Sequence, residues 1–268
     1  MSDIGVERLA RALNPNSRGK TNEPMLAYPL VRVAHRGASG LYPENTRLAF
    51  ERAIELGVDI IELDVHLTRD GELAVIHDDH LERTTNGAGH VRDHTAAQLR
   101  QLDAGQGQPV PLLGEVLQLA GAARVRLCVE AKGEDEAETI NIAEAIVSAL
   151  RAADWTGRAI LASFVAPALR RARALDPLLP AILDPSPQDG SLSPRALCEQ
   201  TLACGANSLS YDHNFVTAAV AAECRLAGLA LWPWAPNEPD DLRRMLALGV
   251  PGIETDRPDV LNSVILSS

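Results

Sequence analysis

A short apolar segment carries acidic and basic side chains at alternating positions. In IIELDVH, residues 60–66, Glu62, Asp64 and His66 alternate with aliphatic residues. Side chains on a strand alternate between its two faces, so these three polar groups share one face. Two carboxylates about 6.5 Å apart repel by roughly 2.5 kcal/mol at an effective dielectric near 20. A divalent cation bound through oxygen would relieve that repulsion, although an edge strand with a solvated polar face explains the alternation at least as well.

Further candidate residues fall where other predicted strands end. They are His35, Arg36 and Glu44 after the first strand, His77 after the Thr68–Gly71 turn, Glu130 and Lys132 in the third strand, and Trp234 in the seventh. The carboxyl ends of parallel barrel strands meet at one face, where active sites lie. We therefore expect these side chains to form one polar cluster. Asn45 is expected to cap the helix that follows it.

The composition argues against several function classes. The chain has 25 basic and 36 acidic residues and a net charge of −11, which disfavours nonspecific binding to nucleic acid or to anionic membranes. Its 4 cysteines form no CxxC pair and no zinc spacing, which is typical of reduced, buried thiols. No segment has the pattern of a signal peptide or the apolar length of a membrane span, so we expect a cytoplasmic protein without a stable membrane anchor. The oligomeric state is left open.

Short aliphatic runs alternate with helical patterns, which is typical of βα units and a parallel sheet. Strands are predicted near Val31–Ala34, Ile60–Val65, Val125–Glu130, Ile160–Ala162, Ala181–Leu183, Ser208–Ser210, Ala230–Trp234 and Gly252–Glu254. Helices are predicted at Thr46–Leu56, Glu136–Ala152, Pro167–Leu175, Pro194–Ala203, Val216–Leu226 and Pro239–Leu248, with another after Pro111. This pattern favours an α/β fold of the (β/α)₈ TIM-barrel type over a doubly wound sheet, because no GxGxxG sequence follows the first strand.

Two segments do not fit a minimal barrel. Residues 1–29, with a short helix expected at Ile4–Leu13, are interpreted as an N-terminal extension. Residues 81–123 are too long for one βα connection and predict a small helical insertion after the second strand, with helices near Thr95–Leu102 and Gly114–Ala120. The barrel domain is thus expected to cover residues 30–268.

Several motifs resemble those of the glycerophosphodiester phosphodiesterase family. They occur in chain order between about Val31 and Leu261 as HRGAS, PENT, ELD, TRDG, HDDHLERTT, VEAK and GVPGIETDRP. The resemblance implies a (β/α)₈ barrel that binds one divalent metal ion and uses a pair of histidines for proton transfer. The implied metal ligands are Glu62, Asp64 and Glu130, the implied histidines are His35 and His77, and the implied phosphate-binding residues are Arg36 and Lys132. Mg²⁺, Ca²⁺ and Mn²⁺ all suit such oxygen ligands.

The resemblance implies hydrolysis of glycerophosphodiesters, such as glycerophosphocholine or glycerophosphoethanolamine, to sn-glycerol 3-phosphate and an alcohol. Such a reaction requires neutralisation of the phosphodiester charge, an activated nucleophile and a protonated leaving group. Two histidines can exchange the acid and base roles during one turnover. We assign His35 as the first base and His77 as the first acid. Attack by the neighbouring glycerol hydroxyl would give a cyclic phosphate, and direct attack by water is the alternative.

The substrate side of the site is less sharply defined. Glu44 is expected to contact the substrate or to support residues that do, and Trp234 is expected to stack on the glycerol or alcohol group. The chain departs from the family pattern at WPWAPN and at Pro251, near the mouth and the last loop. Two alternatives therefore stay open. One is a lysophospholipase D-type phosphodiesterase with an acyl groove near Trp232, Trp234 and the insertion, and the other is a non-catalytic phosphodiester-binding barrel.

Overall fold

The computed structural model describes residues 30–187 and 190–267, which form a nearly closed barrel of parallel strands surrounded by helices. The barrel strands are β1 (Val31–Ala34), β2 (Ile60–Leu67), β4 (Arg126–Ala131), β5 (Ala159–Ser163), β6 (Ala181–Leu183), β7 (Ser208–Asp212), β8 (Ala230–Trp234) and β9 (Gly252–Thr255). The short strand β3 (Leu73–Val75) pairs antiparallel with the end of β2. The predicted TIM-barrel class is confirmed, and the hairpin of β2 and β3 turns the chain back toward the barrel rim as expected.

The helices follow the strands around the outside of the barrel. They are α1 (Arg47–Glu55), α2 (Ala96–Leu99), α3 (Leu113–Ala123), α4 (Glu136–Ala152), α5 (Ala166–Leu175), α6 (Pro194–Ala203), α7 (Ala218–Ala227), α8 (Pro239–Ala247) and α9 (Pro258–Leu266). A 3₁₀ helix covers Val91–Asp93. The last helix, α9, was not predicted, although it begins with a proline in its first turn, a common start signal.

Side-chain caps fix the starts of several helices. Thr46 accepts a hydrogen bond from the N–H of Ala49 and caps α1. The expectation that Asn45 caps this helix was therefore wrong. Asn45 has a left-handed backbone with φ 56°, and its side chain points toward β2 instead. Asp135 caps α4 in the same way as Thr46 caps α1.

The barrel interior is apolar at its lower end and polar above. The outward-facing Ile61, Leu63 and Val65 of β2 are fully buried under the helices. An apolar floor inside the barrel is formed by Val33, Ile60, Cys128, Ala162, Ile182 and Trp232. All 4 cysteines are buried and free, as the sequence indicated. The alternating polar positions of β2 therefore lie above a dry floor and face the barrel axis.

Residues 76–112, which we call the cap, follow β3 and precede α3. They form a small apolar cluster of their own together with Ala74 of β3, consisting of Ala74, Ile76, Leu81, Val91, Leu99, Ala104 and Val110. The helix expected at Thr95–Leu102 is the shorter α2, which Thr95 caps. The second helix expected in the insertion is α3, whose buried side chains join the main core next to the barrel strands. Residues 1–29, including the helix expected at Ile4–Leu13, lie outside the described residues.

The seam between β8 and β9 is closed by side chains. Over residues 30–187 and 190–267, no ladder of backbone hydrogen bonds joins these two strands. The Oδ1 atom of Asn237 accepts hydrogen bonds from the Thr255 hydroxyl at 2.8 Å and from the Asp256 N–H at 2.9 Å. Its Nδ2 atom donates to Asp256 Oδ2 at 2.6 Å. One amide side chain thus bridges the end of β8 to the end of β9.

None of the described helices is both long enough and apolar enough to cross a lipid bilayer.

Candidate active site

A cleft of about 450 Å³ opens where the barrel strands end. The predicted site residues that line it are His35, Arg36, Glu62, His77, Glu130, Lys132 and Trp234. Asp64 lies directly beside them and is fully buried. Strand β2 pairs with β1 on one side and with β4 on the other, so its acids do not belong to a solvated edge strand.

Three carboxylates meet at the base of this cleft. Glu62, Asp64 and Glu130 each place one oxygen within 4.8 Å of the other two. The β2–β4 register sets Asp64 directly beside Glu130. Burial, together with repulsion from Asp64, raises the pKa of Glu62 well above its usual range. The same two causes raise the pKa of Glu130 to about 8.

Each of these three carboxylates has one buried oxygen without a hydrogen bond among the described residues, namely Glu62 Oε1, Asp64 Oδ1 and Glu130 Oε1. Glu62 Oε2 accepts from the backbone N–H of Arg36 at 2.9 Å. Its buried Oε1 atom has no hydrogen-bond partner among the residues that the structure describes. A buried, unpaired carboxylate oxygen is costly unless something compensates it. The donor set consists of oxygens alone and fits a hard divalent cation such as Mg²⁺, Ca²⁺ or Mn²⁺.

Two cations already lie against the carboxylates. Lys132 Nζ lies 2.7 Å from Glu130 Oε1 and 3.4 Å from Asp64 Oδ1. Arg36 Nε lies 3.3 Å from Asp64 Oδ2. Burial alone would raise the pKa of Asp64, but the charges of Lys132 and Arg36 hold it well below its usual range. Asp64 is therefore anionic, whereas burial disfavours the charge of Glu62 and Glu130.

Asn45 fixes the orientation of Asp64. Its Nδ2 atom donates to Asp64 Oδ2 at 2.8 Å, and its Oδ1 atom accepts from the Asp64 backbone N–H at 3.3 Å. Both residues are at most 3% exposed. The left-handed backbone of Asn45 lets this side chain reach β2, and asparagine tolerates that conformation better than most residues.

His35 is held by an acidic partner. Its Nδ1 atom lies 2.7 Å from Asp256 Oδ1, and its Nε2 atom lies 3.8 Å from Glu254 Oε1. Burial lowers the pKa of His35, but the Asp256 hydrogen bond and the Glu254 charge outweigh burial and raise it. Against its own burial, the contacts of Asp256 with His35, Asn237 and Ser39 lower its pKa to about 2. Asp256 therefore remains ionised and orients the imidazole.

His77, which follows β3, also has a carboxylate at its Nδ1 atom. Its Nδ1 atom lies 2.5 Å from Asp78 Oδ1, and Asp78 is in turn paired with Arg83. Burial lowers the pKa of His77. His66 contacts the carbonyl oxygen of His77 through Nε2 at 2.9 Å, so it supports the backbone there. Among the described residues, no carboxylate forms a hydrogen bond with the Nε2 atom of either histidine.

Glu44 does not line the cleft. Its carboxylate contacts Arg36 Nη1 at 3.0 Å, and both of its oxygens accept from Arg83. It lies behind Arg36 and fixes the position of that guanidinium. Trp234 does line the cleft, and its buried Nε1 atom has no hydrogen-bond partner within residues 30–187 and 190–267.

Sequence reasoning missed two further acids that line the cleft. Glu254 on β9 is 7% exposed, and burial raises its pKa to about 7. Asp184, directly after β6, is 6% exposed, and burial raises its pKa to about 6. A signal for Glu254 was present, because it interrupts the apolar GIET strand just as Glu62 interrupts β2.

Comparison with known proteins matches this arrangement to one family. The family model described as glycerophosphoryl diester phosphodiesterase family matches residues 35–260. A glycerophosphodiester phosphodiesterase of Caldanaerobacter subterraneus subsp. tengcongensis is 37% identical over 240 residues, which cover 87% of this chain and 96% of that protein. A glycerophosphodiester phosphodiesterase of Bacillus subtilis is 35% identical over 258 residues, with 88% and 86% covered.

A solved structure is similar over nearly the whole barrel. It is an Oleispira antarctica phosphodiesterase in complex with the product sn-glycerol-3-phosphate. It superposes with a TM-score of 0.80 at 28% identity and covers 89% of this chain and 97% of that one. The chain therefore belongs to the glycerophosphoryl diester phosphodiesterase family and is an enzyme of the phosphoric diester hydrolase class.

Proposed function

We propose that this enzyme hydrolyses glycerophosphodiesters, such as glycerophosphocholine or glycerophosphoethanolamine, to sn-glycerol 3-phosphate and an alcohol with the aid of one divalent metal ion. The observation that carries the proposal is the convergence of Glu62, Asp64 and Glu130 in the same cleft as His35 and His77. The product bound to the related Oleispira antarctica protein supports the choice of substrate class.

Glu62, Asp64 and Glu130 would hold the metal ion. The unpaired Oε1 atom of Glu62 and the raised pKa of Glu130 support this assignment, because both reflect negative charge that the protein alone does not compensate. When bound, Mg²⁺, Ca²⁺ or Mn²⁺ would act as a Lewis acid on the phosphodiester oxygens.

Arg36 and Lys132 would bind the phosphate group. Both line the cleft and have partly buried, charged head groups held next to acids. Arg36 is braced from behind by Glu44, so its guanidinium is preorganised rather than mobile. Such preorganised donors stabilise the charge that develops on phosphorus-bound oxygens. Glu44 thus acts through Arg36 and not through direct substrate contact.

The two histidines would move the protons. In the first step, a neutral histidine takes through Nε2 the proton of the glycerol hydroxyl next to the phosphate while that oxygen bonds to phosphorus. The bond from phosphorus to the alcohol oxygen breaks, and the protonated histidine gives a proton through Nε2 to that oxygen. The lowered pKa of His77 and the raised pKa of His35 favour His77 as this first base and His35 as this first acid, the reverse of the assignment made from the sequence. Water then opens the cyclic phosphate with the roles exchanged. Direct attack by water remains the alternative route, and the carboxylates at both Nδ1 atoms serve either.

The lysophospholipase D alternative receives less support. Trp232 was expected to help form an acyl groove, but it is 6% exposed and belongs to the apolar floor of the barrel. The cleft above that floor is lined largely by charged groups, which bind a polar head group better than an acyl chain. A cytoplasmic location remains our expectation from the sequence.

A panel of diesters tests the proposal directly. We expect release of sn-glycerol 3-phosphate from glycerophosphocholine and glycerophosphoethanolamine, little activity on lysophosphatidylcholine, and loss of turnover with a chelator. The double variant His35→Ala, His77→Ala should lose turnover, whereas His94→Ala in the cap should keep it. Faster hydrolysis of lysophosphatidylcholine would favour the alternative substrate class. Undiminished turnover in the double variant would refute the catalytic roles, and undiminished turnover with chelator would refute the metal requirement.

A further inference from the structure

A second group of potential metal ligands lies in the cap. Asp79, His80 and His90 each place one ligand atom within 4.8 Å of the other two. None of them lines the catalytic cleft. We propose that these three residues form a second metal site, selective for Zn²⁺ or a similar transition-metal ion. This site is independent of the proposed function.

The backbone already holds the two histidines together. His80 and His90 form an isolated antiparallel bridge, flanked by hydrogen bonds from the Leu81 N–H to the Gly89 carbonyl at 3.0 Å and from the Val91 N–H to the Asp79 carbonyl at 2.8 Å. Cross-strand partners place their side chains on the same face. The two imidazole rings lie with their centroids 3.9 Å apart. The site is therefore preorganised and needs only small side-chain rotations to converge on an ion.

Acids flank both rings. Glu134 Oε1 lies 2.9 Å from His90 Nδ1, and Arg92 holds the other oxygen of Glu134 at 2.8 Å. The Nδ1 atom of His90 is buried and makes no hydrogen bond among the described residues, so it lacks a partner that a metal ion would supply. His80 has Asp79 Oδ1 at 3.1 Å from its Nδ1. Imidazole binds a metal ion through a ring nitrogen that carries no proton, so zinc binding at this pair should release protons.

The cap group has more nitrogen donors than either group in the cleft. Glu62, Asp64 and Glu130 offer only oxygens, which suit Mg²⁺ and Ca²⁺, and the other cleft group adds one imidazole, that of His35, to Glu62 and Glu254. The cap group offers two imidazoles and one carboxylate, and such nitrogen-rich sets favour Zn²⁺, Ni²⁺ or Cu²⁺. The side chains of His80 and Asp79 are 50% and 40% exposed, so an ion can reach them from solvent. A bound ion would clamp the loop of residues 81–89.

Zinc titration of the full-length protein tests the site. The Glu62→Gln variant removes the main competing ligand in the cleft, and excess Mg²⁺ occupies what remains there. In this background we expect calorimetry to show one Zn²⁺ per chain. Changing His80→Gln or His90→Gln should weaken zinc binding at least tenfold, whereas the neighbouring His94→Gln should not change it.

A stability readout gives a second, independent measure. Zinc at 100 times its dissociation constant should raise the thermal midpoint, because only the folded protein holds the ligands together. The two glutamine variants should unfold at the parent temperature without zinc, since both histidines are substantially exposed. If either proves unstable, Asp79→Asn provides the same comparison. Absence of zinc binding in the Glu62→Gln protein, or zinc binding that is unchanged in a His80→Gln, His90→Gln double variant, would overturn the proposal.

Discussion

Replacing Glu62 by glutamine should stabilise the metal-free enzyme while it abolishes activity. Glutamine has the shape of glutamate and can still accept the hydrogen bond from the Arg36 N–H. It removes one negative charge from a buried group in which Asp64 and Glu130 each place an oxygen within 4.8 Å of a Glu62 oxygen. The substitution therefore separates the electrostatic cost of the site from its catalytic use.

The size of the stabilisation follows from these distances. Two full charges 4.8 Å apart repel by about 3.5 kcal/mol at an effective dielectric of 20. Arg36 attracts the Glu62 charge and offsets part of that repulsion, and partial protonation of Glu62 in the native state reduces it further. We therefore expect a gain of about 1–3 kcal/mol in the free energy of unfolding near neutral pH. Because the pKa of Glu62 is raised on folding, the gain should be larger at higher pH and vanish below its unfolded pKa.

Urea unfolding of the chelator-treated protein measures this gain. Glu72→Gln is the matched control, because Glu72 is exposed and the same chemical change there should alter stability by less than about 0.5 kcal/mol. Steady-state release of sn-glycerol 3-phosphate measures the loss of activity, for which we expect at least about 10²-fold. A Glu62→Gln protein that is less stable than the parent without metal, or that keeps parental activity, would refute the reasoning.

Three further predictions concern the supports of the site. Asp256→Asn should lower kcat by about 10²–10⁴-fold with little change in KM. The limb of the pH–rate profile that reports His35 should move to lower pH, because Asp256 raises the pKa of that ring. A kcat within threefold of the parent would contradict this prediction. Asn45→Ala should lower the free energy of unfolding in urea by about 1–3 kcal/mol, because it leaves buried Asp64 without its amide partner; an unchanged unfolding midpoint would argue against the clamp. The affinity for the divalent ion should increase by up to about tenfold per pH unit from pH 6 to pH 8, because the ion displaces the proton that Glu130 holds with a pKa of about 8. Calorimetry in two buffers of different ionisation enthalpy should detect the released proton. Binding without proton release would contradict this prediction.

Strand positions could be predicted from sequence because barrel strands are short, aliphatic and regularly spaced. The hairpin after β2 was also predictable, since TRDG ends at Gly71, which has φ 82° and needs a residue without a side chain there. Helix α9 was not predicted, although Pro258 in its first turn is a common start signal of a helix. For the cap, the sequence predicted only that the segment between the second and third barrel strands is too long for a simple connection. Its small apolar core could not be predicted, because that core depends on contacts between distant residues.

The chemical groups of the site could be predicted more readily than their supports. Glu62 and Asp64 stand out because they interrupt an apolar strand at a period of two. The partnership of His35 with Asp256 spans 221 residues of sequence, and no local pattern reports it. The role of Asn45 depends on a left-handed backbone that its neighbours do not reveal. The proposed reactive side chains can thus be predicted from their residue types and local spacing, whereas the side chains that position them become apparent only in the folded structure.

The Asn237 bridge ties catalysis to the mechanical integrity of the barrel. The amide that joins β8 to β9 also donates to Asp256, the carboxylate that steadies His35. Opening of this joint would break the hydrogen bonds between Asn237 and Asp256 and so remove one support of the imidazole. On warming, we therefore expect turnover to fall before circular dichroism reports loss of helices, because a local opening can require less free energy than global unfolding. Closure of the barrel and the position of His35 thus depend on the same side chain.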